Sequence, residues 1–337
     1  MMLEADTITK RRKMSVLILL LSLTALVLFL TPLVGAQPLS FSDIFSFSND
    51  SLDFKVFWKM RIPRSLVAFF AGAILAGCGM VFQAIFRNPL VCPFTLGVSA
   101  GASFGATIYI RLGLPLSLFG ISGISSFAFL GALLSVFIVW KLARIKNDAS
   151  IAKMLLAGLV VSYFFISLIM FIQYTSDLYQ SMRITRWLMG GLFVYGYQPV
   201  YDILPFVLIA CIGIWRYTHE LNLLTTGEEL AISRGVDVRR TVKVLFVLTS
   251  LIVGGVVSAC GPISFVGIIA PHICRLLIGS DHRYLAPATF LFGGLFLTVC
   301  DTMARTVVAP AEIPVGVITA LIGGPFFLWL MQRCFRG

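Results

Sequence analysis

The sequence predicts an all-α integral membrane protein with ten spanning helices in one domain covering residues 1–337. Two compositional observations and one of pattern predict it. Hydrophobic residues make up 58% of the chain and charged residues 12%, whereas a soluble domain is nearer half apolar and a quarter charged. Mean hydropathy is +0.96. Apolar runs recur along the chain, separated by short segments carrying charge, Gly or Pro, and about 20 apolar residues suffice to cross a bilayer. Length alone would suggest two soluble domains, but a surface this apolar needs lipid as its solvent.

The runs lie at 14–34, 64–85, 93–110, 118–140, 151–172, 199–217, 241–260, 263–278, 284–303 and 313–332. Lys10, Arg11, Arg12 and Lys13 precede the first, and Val34-Gly35-Ala36 resembles a signal-peptidase site. A signal h-region runs about 7–15 residues; this run is longer and reads as an uncleaved first span. An even count puts both termini on one side. With that side taken as cytoplasmic, eighteen of the 26 Lys and Arg fall inside and eight outside. This bias agrees with the positive-inside rule for a bacterial inner-membrane protein. The net charge of +11 therefore reads as a topology signal, and no nucleic-acid partner is expected.

No cofactor chemistry is expected of this chain. The seven cysteines form no CxxC, and all but Cys334 lie in or beside apolar runs, where cysteine packs as a small hydrophobe. His219, His272 and His282 lack metal-ligand spacing, and there is no GxxxxGK[ST] to bind ATP through a P-loop. The spans hold few ionisable groups and no central Asp/Glu/His chain of the kind that marks ion-coupled pathways. Energy should then come from another subunit. An ion-coupled secondary transporter and a multi-pass membrane enzyme are the rival classes; each would need convergent ionisable or metal-binding groups.

Small residues recur on helix faces at Gly72, Ala76 and Gly79 and at Gly97, Gly101 and Gly105, which permits close helix approach in lipid. Proline breaks occur at Arg87-Asn88-Pro89-Leu90 with Cys92-Pro93, at Cys260-Gly261-Pro262 and at Gly323-Gly324-Pro325. The first is either a plain turn or a gate, and the other two either line a pathway or kink a helix. The 219–240 connection predicts a short cytoplasmic helix over 227–234. Thr226 and Glu229 have capping-box spacing, and Gly235 suits the position after a helix. That helix would present Glu228, Glu229 and Arg234 with Leu230 and Ala231, either to solvent or to a docked partner. Outside, Arg61, Arg64 and Arg305 sit at span ends, where they either snorkel to headgroups or meet carboxylates. Asp301, four residues before Arg305, is placed to pair with it.

These residues resemble a known family. Arg61-Ile-Pro-Arg64, Gly72, Ala76, Gln83, Asn88-Pro-Leu90, Pro93 and Leu96-Gly-Val-Ser-x-Gly101-Ala are similar to the FecCD permeases. So are Gly261-x-Ile-x-Phe-Val-Gly267, Pro271-His272, Arg275, Asp281-His-Arg283, Asp301-x-x-x-Arg305, Glu312-Ile-Pro-Val-Gly316 and Gly323-x-Pro325. The likeness covers about 61–333 and is poor over 37–60 and 173–198. It implies the permease of a type II ABC importer for cobalamin, haem or ferric siderophores, and resembles in particular the molybdate/tungstate type. The implied assembly is a second copy of this chain, two ATP-binding cassette subunits carrying ATP and Mg, and an extracytoplasmic substrate-binding protein. Residue by residue, the resemblance implies that Arg61, Arg64 and Arg305 dock the binding protein. It places Glu228, Glu229, Ala231, Arg234 and Gly235 in the element coupled to the ATPase, and Asn88 and Leu90 in a cytoplasmic gate.

Overall fold

The computed structural model describes residues 9–35, 37, 39–40, 51–113, 117–118, 121–143 and 151–335. The chain enters through α1 (Lys10–Leu30). A short α2 (Leu52–Val56) and a π-helical turn (Phe57–Arg61) then lead without a break into α3 (Ile62–Phe86). α4 (Val98–Leu112) is joined to α5 (Gly123–Ala143) through a two-residue antiparallel pairing of Ser117–Leu118 with Ile121–Ser122. There follow α6 (Ile151–Tyr174), α7 (Leu178–Leu188), α8 (Gln198–Arg216), α9 (Thr218–Thr226) and α10 (Glu228–Ser233). The chain ends with α11 (Val238–Cys260), α12 (Val266–Ile278), α13 (His282–Thr306) and α14 (Val315–Phe335).

The axis of the bundle is α3. Every residue from Ala71 to Phe86 is buried, as expected of a helix that is apolar all round. It packs against α13, α12, α8 and α11. By contrast α1 and α6 keep long apolar faces open, including Leu19, Phe29, Leu156, Tyr163 and Phe171. In a chain of this composition such faces are solvated by lipid or by a partner helix.

Each of the ten predicted runs contains a helix. Among the described residues, seven helices are long and apolar enough to cross a membrane, the Leu52–Phe86 rod counting as one. The α12 helix and Val315–Leu330 are shorter apolar segments, and α4 has 15 residues. The starts of α4 and α12 lie later than predicted, at 98 rather than 93 and at 266 rather than 263. Pro93 and Gly261-Pro262 push the preceding residues out of helical geometry, and the chain turns there first. The Gly323-Gly324-Pro325 triplet does not interrupt α14, which runs helical through it.

Small residues act where two backbones nearly touch. A Cβ at Gly72 would strike Gly293 O, and one at Gly101 would strike Gly131 O. α3 therefore meets α13, and α4 meets α5, at main-chain distance. Gly101→Val should force the second pair apart and lower stability by about 1–3 kcal/mol, the usual cost of overpacking. Thermal unfolding of the detergent-solubilised protein measures this; an unchanged midpoint would show that the helices separate freely.

Candidate functional site

Polar groups collect at the two ends of the bundle. At one end the π-helical turn and the start of α3 aim Arg61 and Arg64 at the neighbouring elements, and the last turns of α13 bring Asp301 and Arg305 to meet them. Arg64 Nε donates to Asp301 Oδ1 and Oδ2 at 3.0 and 3.2 Å, and its Nη1 donates to Glu312 Oε2 at 2.9 Å. Arg305 Nε lies 3.1 Å from Asp301 Oδ2, which bears out the i,i+4 pairing expected from spacing. Asp301 is fully buried and Arg305 6% exposed. A carboxylate in such a place persists only because two guanidiniums hold it. Arg61 is also buried, and its guanidinium donates to the carbonyls of Pro32, Leu33 and Gln37. All three arginines thus meet at one end, as their spacing suggested, but in this chain their guanidiniums hold internal acceptors. Arg64, bridging to the half-exposed Glu312, is the most accessible.

At the opposite end α3 stops in a left-handed residue, Arg87 (φ 49°), with Asn88 N–H returning to Gln83 O at 3.2 Å. The Asn88 side chain then closes a second small turn by accepting from Leu90 N–H at 2.9 Å, which leaves Leu90 39% exposed. Arg87 Nη2 lies 3.4 Å from Glu228 Oε2, so the gate turn and α10 are in contact through their side chains.

The α10 helix ends as its glycine predicted. Gly235 is left-handed (φ 83°), with Gly235 N–H on Ile232 O and Val236 N–H on Ala231 O, the paired closure of a Schellman motif. Its start differs from the expected capping box. Gly227 occupies the N-cap without a side-chain bond, and Thr226 Oγ1 instead donates to Leu223 O at the end of α9. The predicted surface is also corrected at one residue: Ala231 is fully buried against Leu223, Leu224 and Val238. Ile232, which the sequence reading did not single out, is 57% exposed beside Leu230 at 47%. Glu228, Glu229 and Arg234 are exposed as expected. A six-residue helix alternates faces too quickly for periodicity to separate Ala231 from Ile232.

The α9–α10 unit is anchored by Asn222. Its Nδ2 donates to Asp281 Oδ1 at 2.9 Å, and its Oδ1 accepts from His282 N–H and from ring Nδ1 at 2.8 and 2.7 Å. Asp281 also caps α13 by accepting from Arg283 N–H. Burial pushes the Asp281 carboxyl up, but the Asn222 amide, the Arg283 N–H and the charges of Lys13 and Arg283 outweigh it and hold it below the usual carboxylate range. A lowered carboxylate stabilises the fold fully above its unfolded value, near 3.8, and loses that contribution as pH falls through the folded value. Asp281→Ala should therefore cost about 1 kcal/mol near neutrality, the usual loss of a helix cap. The gap to the unmodified protein should close on acidification below about pH 4. Thermal unfolding across pH 3–7 tests this; a gap independent of pH would show that charge plays no part.

The part of the site that sequence reading missed is α7. Its hydrogen-bonded cap, from Asp177 to Gln180 N–H, was a readable signal. Its apolar stripe is short and interrupted by Arg183 and Arg186, so no spanning run marked it.

A bundle of membrane-crossing helices with a capped helix at one end and a buried ion cluster at the other defines a transport permease rather than an enzyme. The chain belongs to the FecCD transport family, whose model matches residues 21–333. It is 36% identical over 302 residues to the hemin transport system permease of Yersinia pestis, covering 89% of this chain and 90% of that one. It is also 36% identical over 294 residues to the molybdate import system permease of Haemophilus influenzae, covering 86% and 84%. Of the solved structures, an inward-facing metal-chelate type ABC transporter matches with a TM-score of 0.83 at 30% identity, covering 95% of this chain and 99% of that one. The chain is accordingly a multi-pass membrane permease subunit of an ABC importer. Equal identity to the hemin and molybdate permeases does not single out either substrate.

Proposed function

We propose that two copies of this chain form the pathway of a binding-protein-dependent importer in the bacterial inner membrane, each copy crossing ten times with both termini in the cytoplasm. The single observation that carries the orientation is how the chain sorts its ends. Lys13 lies over the Tyr284 ring, Arg87 meets Glu228, and Asn222 meets Asp281, all at the end expected inside. Arg61, Arg64, Asp301 and Arg305 gather at the end expected outside. ATP and Mg act on two separate cassette subunits, which grip α10 through Leu230, Ile232 and the charges of Glu228, Glu229 and Arg234. Ala231 and Gly235 hold α10 in place. Arg87 joins α10 to the Asn88–Leu90 turn, so a pull on α10 is applied to the gate. The substrate-binding protein docks at the Arg61, Arg64 and Arg305 end, with Arg64 and Glu312 as the charges in reach.

The cargo is a metal-containing nutrient, either an iron chelate, haem or cobalamin, or a molybdate or tungstate oxyanion. Reconstitution with the neighbouring ATPase and binding protein, followed by metal-quantified uptake, tests the reading. ATP-dependent accumulation of one of these is expected. Uptake that persists without the ATPase would overturn it in favour of an ion-coupled transporter.

A further inference from the structure

We propose that α7, with the end of α4 and the start of α5, forms a binding subsite for a flat, apolar anion bearing two acidic groups. The inference rests on the importer reading above and narrows its cargo. A cavity of about 600 Å³ is lined by Tyr179, Met182, Arg183, Arg186, Trp187 and Phe193, with Ile110 and Ile124 at its base. That volume lies within the range of small-molecule sites. The lining is built by helix geometry: 179, 182, 183 and 186 follow one another at i, i+3, i+4 and i+7, so they share one face of α7. The opposite face carries the fully buried Ile184, packed against Ile110 and Ile169. Arg111 Nη1 donates to Gln180 Oε1, and Gly196 N–H donates to Lys59 O, so both approaches to the cavity are fastened at the Arg61 end of the bundle.

The charge of this cavity decides its ligand. Among the described residues no carboxylate lies within ion-pair distance of Arg183 or Arg186. Their guanidiniums sit instead over rings, Arg183 at 5.7 Å from the Tyr179 centroid and Arg186 at 4.7 Å from that of Phe193. Arg64 and Arg305, by contrast, spend their charge on Asp301. A guanidinium laid on an aromatic face keeps its N–H edge free for an anion. Two of them one helical turn apart, with Cβ atoms about 5–6 Å from each other, suit two acidic groups on one molecule. The walls are aromatic and aliphatic, so the body between those groups is apolar, and Trp187, Tyr179 and Phe193 favour a planar one. A bare tetrahedral oxyanion would leave that apolar wall unused.

The test uses the importer complex in nanodiscs of phosphatidylcholine, titrated with protoporphyrin IX, a planar dicarboxylate, while tryptophan fluorescence is followed. Quenching is expected, with much of its amplitude lost in Trp187→Phe. Affinity should fall about tenfold or more in the Arg183→Gln/Arg186→Gln variant, as hydrogen bonds to charged groups imply, and recover in part in Arg183→Lys/Arg186→Lys. Equal affinity in the glutamine variant would overturn the subsite. So would displacement of the porphyrin by equimolar molybdate, which would mark a small-oxyanion site, or by phosphatidylglycerol added to the disc, which would mark a headgroup site. Binding needs no ATP: porphyrin binding without any ATP-driven uptake would sink the importer reading and spare the subsite, while uptake without arginine dependence would sink the subsite alone.

Discussion

Replacing Asp301 by Ala is expected to destabilise the protein more than any other single change at the Arg61 end, by about 3–5 kcal/mol. That is the typical cost of removing one partner from a buried ion pair. Asp301 is fully buried between Arg64 and Arg305, and Arg305 is itself buried, so its charge would lose its nearest counter-ion. Asp301→Asn keeps the shape and loses the charge, and it should cost nearly as much if charge is what matters. Glu312→Gln is the internal control. Glu312 is half exposed, and exposed pairs contribute roughly 0–1 kcal/mol. Thermal unfolding in detergent, with expression level in the membrane as a second readout, decides the matter. An Asp301→Ala protein as stable as its parent would mean that water reaches the cluster and that the two arginines are free to meet an outside partner. A large loss would mean that they are architectural first, and that any docking partner engages the rim at Arg64 and Glu312.

This cluster marks a boundary of what the residues disclosed in advance. The i,i+4 spacing of Asp301 and Arg305 made their pairing legible, because a helix fixes that geometry locally. That Arg64, 237 positions earlier, would take the other side of the same carboxylate depends on α3 and α13 touching at Gly72 and Gly293. Such long-range contacts are not written in any local period. The ten apolar runs were legible because lipid imposes one long, uniform requirement on each. The α7 helix was not, since eleven residues of mixed polarity satisfy no membrane criterion and its stabilising neighbours, Ile110 and Ile169, come from elsewhere. Arg61 was read as an outward charge from its place at a span end. In the fold it closes over the carbonyls of Pro32, Leu33 and Gln37, which run past it after α1.

The exposed side of α10 should carry the largest functional effect. Leu230→Asp/Ile232→Asp is expected to leave the permease folded and inserted while abolishing its association with the ATPase. Both side chains point away from the Leu223, Leu224, Ala231 and Val238 cluster that seats the helix. Charging them should therefore cost little in the isolated chain. In a docked complex they would form the apolar centre of the contact, where single residues commonly contribute 2 kcal/mol or more. Two such losses together correspond to a fall in affinity on the order of a thousandfold. Glu229→Ala, at the rim, should change little. Ala231→Leu supplies the converse: it overpacks the seat of α10, so it should lower both association and thermal stability, whereas the double aspartate variant lowers association alone. Co-purification with the ATPase and ATP-driven uptake in proteoliposomes give the two readouts. Full retention of both in the double aspartate variant would remove α10 as the coupling element and direct attention to the Arg87–Leu90 turn, the next surface at that end of the bundle.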